Sequence, residues 1–416
     1  MKILIKNAKI VDDSSQLHNK IIDIKIVDGT VIEIGKVDGS PDFQIIEQKN
    51  LHISQGWFDS SVCFCEPGFE DAETIANGLN VAAKSGFTAV CVQPNTNPVV
   101  DNQSAISFLK SKAEGFATNL YPIGAFTKNS ASIDMAELFD MQNAGAVAFG
   151  DYNKNIDNAN LLKIGLQYAQ DFNALLIAYS QNTAIKAKGF VNESPATMHL
   201  GMKSIPNLAE EIEIARNLFL LEYTGGKLHI PTISTENSVK LIRQAKSKGL
   251  NVTCSVSVHH LVLTDHLLSE FDTNYKVTPP LRTETDCKAL IDGILDHTID
   301  MITSDHHPVD IEHKYLEFNL AKYGTVGLES AFSALNNVLP FDIIVNKFTK
   351  SKEVFGITSK SFEVGQSADF TMFVPDGNWL FEQSNILSKS KNSAFIGQEM
   401  KGHVVGIINN NQLVLS

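Results

Sequence analysis

Polar and thiol side chains recur at every second position of one short segment, residues 56–68. Apolar and small residues alternate there until a Pro-Gly break, which predicts a buried strand running into a loop. Because side chains on a strand alternate between its faces, we expect Asp59, Ser61, Cys63 and Cys65 to share one face. The two thiols could bind a metal ion, but no Cys-His spacing typical of metal sites accompanies them. This pattern favours thiols packed in the core.

Other residues able to bind metals lie far from this segment. The chain has five cysteines, an odd number without a CxxC pair, so a disulfide framework is not expected. His306 and His307 follow Asp305 directly. Adjacent residues of an extended segment face opposite ways, so these two histidines are not expected to share one metal ion.

From residue 55 onward, predicted strands and helices alternate. Helical patterns occur at 71–84, 103–114, 158–172, 208–223, 236–248 and 286–297, and strand patterns at 87–93, 119–126, 145–149, 175–179, 227–233, 251–258 and 300–305. Seven or eight such units in about 300 residues predict a (β/α)8 barrel, in which functional groups lie at the C-terminal ends of the strands. Residues 1–54 and 357–416 are instead rich in short strands.

Several stretches of the chain resemble the dihydroorotases and related cyclic amidohydrolases. Residues 56–68 match the family's first-strand signature, Asp-x-His-x-His followed by Phe-Arg-Glu-Pro-Gly. Further matches are Gln93–Pro98, Leu221–His229, Lys276–Arg282 and Gly324–Glu329, and Phe362–Phe373 resembles the family segment that re-enters a small β domain. The resemblance covers nearly the whole chain. It implies an α/β fold with a TIM-type barrel at 55–356 and a small β-sandwich built from 1–54 and 357–416.

The resemblance also implies a catalytic metal site whose histidine ligands are replaced in this chain. The family's two first-strand histidines correspond to Ser61 and Cys63. The family's His-Ala-Glu-Asp motif corresponds to residues 179–182 of this chain, so Tyr179 stands where the family has a histidine ligand. Its His-Ile-Ala-His-Val-Ser-Thr motif corresponds to residues 229–235, so Thr232 stands at a second ligand position. Asp151 matches a subfamily that uses aspartate as a ligand, and Asp305 matches the catalytic aspartate. We therefore expect no bound metal at these six positions.

The positions that hold the substrate in the family have changed as well. Asn95 matches an asparagine that contacts the substrate carboxylate. The family's arginine corresponds to Cys65, the asparagine of its Asn-Pro-Pro-Leu-Arg motif to Thr278, and its histidine after Pro308 to Val309. Without a cationic side chain, a bound carboxylate would lose its hydration with little compensation.

The remaining family positions have structural interpretations. We expect Asp305 and Asp151 to be vestigial carboxylates that neighbouring donors satisfy. Tyr179 is expected to fill space, with its hydroxyl bonded to a partner. The family commonly has a His-His pair outside the metal centre at His259-His260, which implies a structural role for that pair.

Composition excludes several classes of partner. The net charge of −13 argues against binding to nucleic acid or to an anionic membrane surface. No apolar run reaches the roughly 18 residues of a membrane span, and the first residues alternate like a strand and not like a signal peptide. We therefore expect a cytoplasmic protein without membrane or nucleic-acid partners.

Three functional hypotheses follow. The first is a catalytically silent dihydroorotase homologue, a homodimer that resembles the non-catalytic subunits with which some bacteria assemble aspartate carbamoyltransferase in pyrimidine biosynthesis. The second is a working cyclic amidohydrolase with an unusual zinc site at Cys63, Asp151 and Asp305. The third is a binding module whose barrel mouth holds a small uncharged ligand through Asn95 and Tyr179. Metal analysis of the purified protein separates the second hypothesis from the others.

Overall fold

The N-terminal strands form a sheet outside the barrel. The structure, a computed structural model, describes residues 1–38 and 41–416. The first strands are β1 (Lys2–Ile10), β2 (Ile21–Val27), β3 (Thr30–Gly35), β4 (Gln44–Ile46) and β5 (His52–Gln55). Strand β1 pairs antiparallel with β2 and parallel with β4 and β5.

The centre of the molecule is a ring of parallel strands. Its members are β6 (Trp57–Val62), β7 (Phe87–Val92), β8 (Asn119–Gly124), β9 (Ala148–Phe149) and β10 (Leu176–Ile177), then β13 (Leu228–Ile230), β14 (Val252–Ser257) and β15 (Met301–Thr303), while β11 (Val191–Asn192) and β12 (Ser204–Ile205) pair separately. In the described chain these eight strands lie in the order β6-β7-β8-β9-β10-β13-β14-β15. A parallel bridge between Val62 and His306 closes the ring, so the predicted (β/α)8 barrel is confirmed.

The C-terminal strands join the N-terminal sheet. They are β16 (Phe370–Leu380), β17 (Glu399–Asn409) and β18 (Gln412–Leu415). Strand β16 pairs antiparallel with β5, which gives the strand order β18-β17-β16-β5-β1-β2-β3. The small β domain is therefore built from both ends of the chain, as predicted. The domain boundaries at 54/55 and 356/357 stay predictions.

Helices follow most barrel strands. Their bounds are α1 (Ile75–Lys84), α2 (Gln103–Lys112), α3 (Leu138–Ala144), α4 (Ala159–Ala169), α5 (Thr183–Lys186), α6 (Leu208–Thr224), α7 (Glu236–Ser247), α8 (Val258–Val262), α9 (Glu284–Leu295), α10 (Ile311–Lys314), α11 (Ala331–Leu335) and α12 (Phe341–Lys350). The prediction that the first helix begins at Asp71 is wrong by four residues. The Thr74 side chain accepts a hydrogen bond from the Asn77 amide and so fixes the start of α1 at Ile75.

Aromatic packing joins the barrel to the small domain. The buried Trp57 ring lies 5.3 Å from the ring of Phe348 and 5.5 Å from that of Phe373 on β16. Its indole N–H donates to Ser54 Oγ at 2.9 Å. These contacts fix the start of β6 and with it the position of the residues at its other end. In the described chain, no helix is both long enough and apolar enough to cross a membrane.

Candidate functional site

Strand β6 ends earlier than the sequence pattern suggested. Its last residue is Val62, and Cys65 adopts a left-handed conformation with φ of 61°. The Cys65 thiol lies 3.7 Å from the Pro308 carbonyl oxygen. The prediction that Cys65 shares a strand face with Asp59 and Ser61 is therefore wrong, because the backbone turns before that position.

Asp59 joins the first and last barrel strands. Its fully buried carboxylate accepts hydrogen bonds from the Ser61 amide at 3.0 Å and the Ser304 amide at 2.8 Å, and also from the Thr303 hydroxyl. Burial raises the pKa of this carboxyl group, while these donors oppose the rise. Asp59 thus serves the closure of the barrel rather than a reaction in its mouth.

A small cavity lies at the C-terminal ends of the strands. Its volume is about 10 Å³, room for roughly one water molecule. The lining residues are Ser61, Gln93, Tyr152, Asn153, Ile177, Tyr179, Pro231, Thr232, Thr278 and Asp305. The structure therefore brings together four of the six positions that the family resemblance marks as a metal site, and Cys63 and Asp151 are not part of the lining.

Asp305 is the centre of the polar contacts in the cavity. Its carboxylate accepts hydrogen bonds from the hydroxyls of Ser61 at 3.0 Å and Tyr152 at 3.3 Å. Burial raises the pKa of the Asp305 carboxyl group to about 7, because the loss of hydration outweighs the hydrogen bonds from Ser61 and Tyr152 and the nearby Asp59 carboxylate adds to the rise. The Tyr152 hydroxyl also lies 3.2 Å from His307 Nδ1. The group can hold or release a proton near neutral pH, and neighbouring donors satisfy it as predicted.

The other retained acidic position points to a different partner. The Asp151 carboxylate accepts hydrogen bonds from the amide of Thr127 at 3.0 Å and from its hydroxyl at 2.5 Å. Burial raises the pKa of Asp151, and the Thr127 bonds oppose this rise. These contacts tie the end of β9 to the loop after β8. They account for Asp151 as a structural residue.

Cys63 is buried beside the cavity in its protonated form. Loss of hydration raises the pKa of its thiol well above the ordinary value, and the nearby Cys65 adds to the rise. The side chains of Tyr152 and Asn95 contact this thiol. Asn95 itself is half-buried and lies outside the cavity lining. A protonated thiol is a poor nucleophile and a poor metal ligand.

Tyr179 fills the place where the family resemblance implies a histidine ligand. Its ring is 5% exposed, and its hydroxyl shares a hydrogen bond of 3.0 Å with Thr278 Oγ1. Burial raises the pKa of the phenol, so the hydroxyl stays protonated. The prediction of a space-filling side chain with a bonded hydroxyl is confirmed. Val309, which the family resemblance matches to a substrate contact, is buried, and its amide donates to the Asn392 side-chain oxygen at 3.0 Å.

The paired histidines do not form a metal pair. His306 Nδ1 accepts from the Gly327 amide at 3.2 Å, whereas His307 faces Tyr152. Burial lowers the pKa of His307 to about 3 and that of His260 to about 4, so both rings stay neutral. His260 bonds to Ser257 and to the carbonyl oxygens of residues 279 and 280, which ties α8 to the following loop.

The residues at the barrel mouth do not fit a catalytic divalent metal. Ser61 and Tyr179 contribute neutral hydroxyls, which are weak ligands beside imidazole, and their hydrogen bonds already have partners. The part of the chain that the structure describes has no group of three or more His, Cys, Asp or Glu side chains placed to hold a metal ion. The set of Cys63, Asp151 and Asp305 is thus not assembled as a site.

Five of the ten lining residues escaped the sequence analysis, and two of these, Tyr152 and Gln93, hydrogen-bond to Asp305 and Ser61. Tyr152 directly follows Asp151, and its φ of 55° turns its side chain into the mouth, which no strand or helix pattern indicates. Gln93 donates to Ser61 Oγ at 3.1 Å. Gln93 lies in a stretch that matches the family, at the C-terminal end of β7. Its position at a strand end could have identified it as a residue of the site.

Comparisons with known proteins agree with this fold. Residues 52–238 match the family model described as Dihydro-orotase-like. The dihydroorotase of Pelotomaculum thermopropionicum is 38% identical over 97% of this chain and 96% of its own length. That of Citrifermentans bemidjiense is 36% identical over 100% of this chain and 99% of its own length.

Solved structures show the same architecture at lower identity. The L-hydantoinase (dihydropyrimidinase) of Arthrobacter aurescens superposes with a TM-score of 0.84 at 21% identity, covering 100% of this chain and 96% of that one. The dihydropyrimidinase of Brevibacillus agri gives the same score and identity over 100% and 95%. This likeness supports the barrel with its β-rich domain. The sequence identities over nearly full length go further, and by them the chain belongs to the dihydroorotase family of amidohydrolases.

Proposed function

We propose that this chain is a non-catalytic dihydroorotase homologue that acts as a structural partner of aspartate carbamoyltransferase in pyrimidine biosynthesis. The observation that carries the proposal is the filled barrel mouth. Tyr152 and Tyr179 occupy it together with Thr232 and Thr278, and the space that remains is about 10 Å³. A ring-shaped substrate needs many times the volume of the single water that fits there.

Loss of the metal site removes the source of the nucleophile. A bound divalent metal lowers the pKa of water from about 15.7 to about 7, on the order of 12 kcal/mol of hydroxide generation. Ser61, Cys63, Tyr179 and Thr232 stand at the ligand positions, and neutral hydroxyls and a protonated thiol do not replace imidazoles. Asp305 could still move a proton, but a proton acceptor alone does not polarise the amide carbonyl.

The substrate cradle lacks a positive charge. Cys65, Thr278 and Val309 are buried, neutral residues at the three positions where the family binds the substrate carboxylate. Moving that carboxylate into the mouth would cost several kcal/mol without a charge-assisted hydrogen bond. The changes affect metal, nucleophile and substrate together, as expected after selection for hydrolysis has ended.

The retained fold supports a role for the surface of the molecule. Barrel closure through Asp59 and the aromatic contacts of Trp57 are intact, so the chain keeps a stable scaffold around a changed site. The proposed partner is aspartate carbamoyltransferase, the enzyme of the preceding step. Sedimentation of the two purified proteins, alone and mixed, tests this role. A stoichiometric complex is expected, and two independent boundaries at micromolar concentration would contradict the scaffold.

One observation favours a second candidate, a working cyclic amidohydrolase, which the sequence analysis links to an unusual zinc site. Asp305 has a pKa of about 7 and lies near Tyr152, which suits proton transfer at neutral pH. Metal analysis of protein purified without chelator separates the two candidates. Stoichiometric zinc that disappears in Cys63→Ser would support the second candidate, and substoichiometric metal supports the first.

A further inference from the structure

Four large apolar side chains line one groove beside the segment that follows β15. Ile311 is 75% exposed and Tyr315 is 87% exposed, and nearly half of Phe271 and of Leu316 is exposed. These four residues are called the apolar patch below. Its two aromatic rings alone expose on the order of 250 Å². A single exposed leucine needs no explanation, but a group of this size on one groove marks an interaction surface.

The groove is built from parts of the chain that are far apart in sequence. Residues 383–396, between β16 and β17, line it together with residues 271–274 and 309–316. Its volume is about 960 Å³, at the upper end of the range of small-molecule pockets. A small ligand in the groove would leave most of the protruding Tyr315 ring in water. The shape therefore fits a protruding helix or loop of another protein, which covers the groove and the patch together.

Two buried lysines hold the backbone beneath the patch. The Lys314 ammonium donates to the Gly324 carbonyl at 2.7 Å and to two other backbone carbonyls at 3.2 and 3.3 Å. The Lys276 ammonium donates to the carbonyls of Phe318 at 2.6 Å and Asn319 at 3.1 Å. The segment that carries the patch is thus fixed before a partner arrives. A surface held in this way loses less conformational entropy on binding than a mobile loop does.

The charges around the patch favour a basic partner. Asp71, Asp272 and Glu312 line the groove, and all three are exposed. The lysines that line it, Lys389 and Lys391, direct their ammonium groups to backbone carbonyl oxygens at 2.7 Å. The whole chain also carries a net charge of −13. A contact surface with lysine or arginine around an apolar centre is therefore complementary to this groove.

We propose that this groove binds a protruding segment of the partner protein, one with large apolar residues flanked by lysine or arginine. The inference rests on the proposed function, because the partner that it concerns is aspartate carbamoyltransferase. It goes further by assigning the contact to the apolar patch and by stating the chemistry of the partner's contact segment. The patch supplies the apolar anchors of the contact, and the exposed carboxylates supply its polar rim.

Truncation of the apolar anchors tests the location of the contact. The double variant Ile311→Ser, Tyr315→Ser is expected to raise the dissociation constant of the complex with aspartate carbamoyltransferase more than about 30-fold. Ile21→Ser changes an apolar residue of the small β domain that is 66% exposed, and its affinity should match the wild type. Titration calorimetry measures the dissociation constants, and circular dichroism establishes that each variant is folded.

Charge reversal tests the chemistry of the partner's contact segment. Glu312→Lys is expected to weaken the complex about 10-fold at low salt, because it places a cation against the basic segment. Glu114→Lys makes the same change at an exposed position after α2 and should have little effect. The dissociation constant of the unmodified complex should rise when sodium chloride is raised from 50 to 300 mM, and the rise should be smaller for Glu312→Lys.

The outcomes separate the two proposals. If the unmodified chain forms no complex at micromolar concentration, the proposed function and the inference both fail. If the complex forms and the double variant keeps its affinity, or Ile21→Ser loses as much, the inference alone is overturned. A complex whose affinity changes neither with salt nor with Glu312→Lys overturns the basic contact segment.

Discussion

At the scale of single residues, the side chains at the barrel mouth hydrogen-bond to one another. The sequence resemblance matches Tyr179 to a metal ligand and Thr278 to a substrate contact, and the hydroxyls of these two residues share a hydrogen bond. Ser61 likewise donates to the retained Asp305. Such pairs leave few polar atoms free for a metal or a substrate, although the backbone around them is preserved.

Asp305 gives a prediction about pH. Its folded-state pKa of about 7 lies above the ordinary value of 3.8, so the folded protein binds this proton more tightly than the unfolded chain. The stabilising contribution is therefore complete below about pH 4 and is lost as pH rises through about 7. Asp305→Asn, which stays neutral, should gain on the order of 1–3 kcal/mol of unfolding free energy relative to wild type between pH 5 and pH 8.

Urea unfolding of the wild type and of Asp305→Asn at pH 5 and at pH 8 measures this difference in unfolding free energy. The exposed change Glu312→Gln serves as the control and should show little dependence on pH. A difference between Asp305→Asn and wild type that stays constant from pH 5 to pH 8 would show that burial does not perturb this carboxyl group.

At the scale of elements, barrel closure depends on a buried carboxylate. Asp59→Ala should cost about 3 kcal/mol of unfolding free energy, because the amides of Ser61 and Ser304 would lose their acceptor in the core. Thermal and denaturant unfolding measure the loss. Asp42→Ala, an exposed change, should stay within about 0.5 kcal/mol of wild type. Equal stability of the two variants would disprove the structural role of Asp59.

The positions of the strand ends give a second prediction at this scale. Ser61, Tyr179 and Thr232 reach one cavity from β6, β10 and β13, so imidazoles there should converge. The variant Ser61→His, Cys63→His, Tyr179→His, Thr232→His should bind about one zinc ion per chain with little turnover, because Cys65 and Val309 still fail to hold the substrate. Metal analysis after dialysis checks this. A folded variant that retains no zinc would show that the strand ends have drifted apart.

The sequence predicted elements better than it predicted the site. Hydrophobic periodicity located α2, α6 and α7 within two residues, because long amphipathic helices carry a strong repeating signal. Barrel strands such as β9 and β10 are shorter than predicted, since strand pairing ends where the functional loops begin. The side-chain direction of Tyr152 depends on its left-handed backbone, and that of Cys65 on the end of β6. Neither side-chain direction can be predicted from the alternation of apolar and polar residues in the sequence.

At the scale of the whole molecule, the fold matches the dihydroorotase family, while several residues at the strand ends differ from the motifs that the sequence resemblance identifies. The chain keeps the dihydroorotase fold over nearly its full length at 36–38% identity to enzymes of that name. At the strand ends, Tyr179 bonds to Thr278 and Ser61 bonds to Asp305. Fold alone therefore does not decide activity, and the residues at the strand ends are the relevant evidence.

Steady-state hydrolysis of dihydroorotate by the unmodified chain, with and without added zinc, tests catalytic silence most directly. The ring amide absorbs in the ultraviolet, and its loss reports turnover. The account predicts a rate indistinguishable from the buffer control at micromolar protein, with or without zinc and with Asp305→Asn behaving like wild type. Zinc-dependent turnover that Asp305→Asn abolishes would contradict the account and establish a working amidohydrolase.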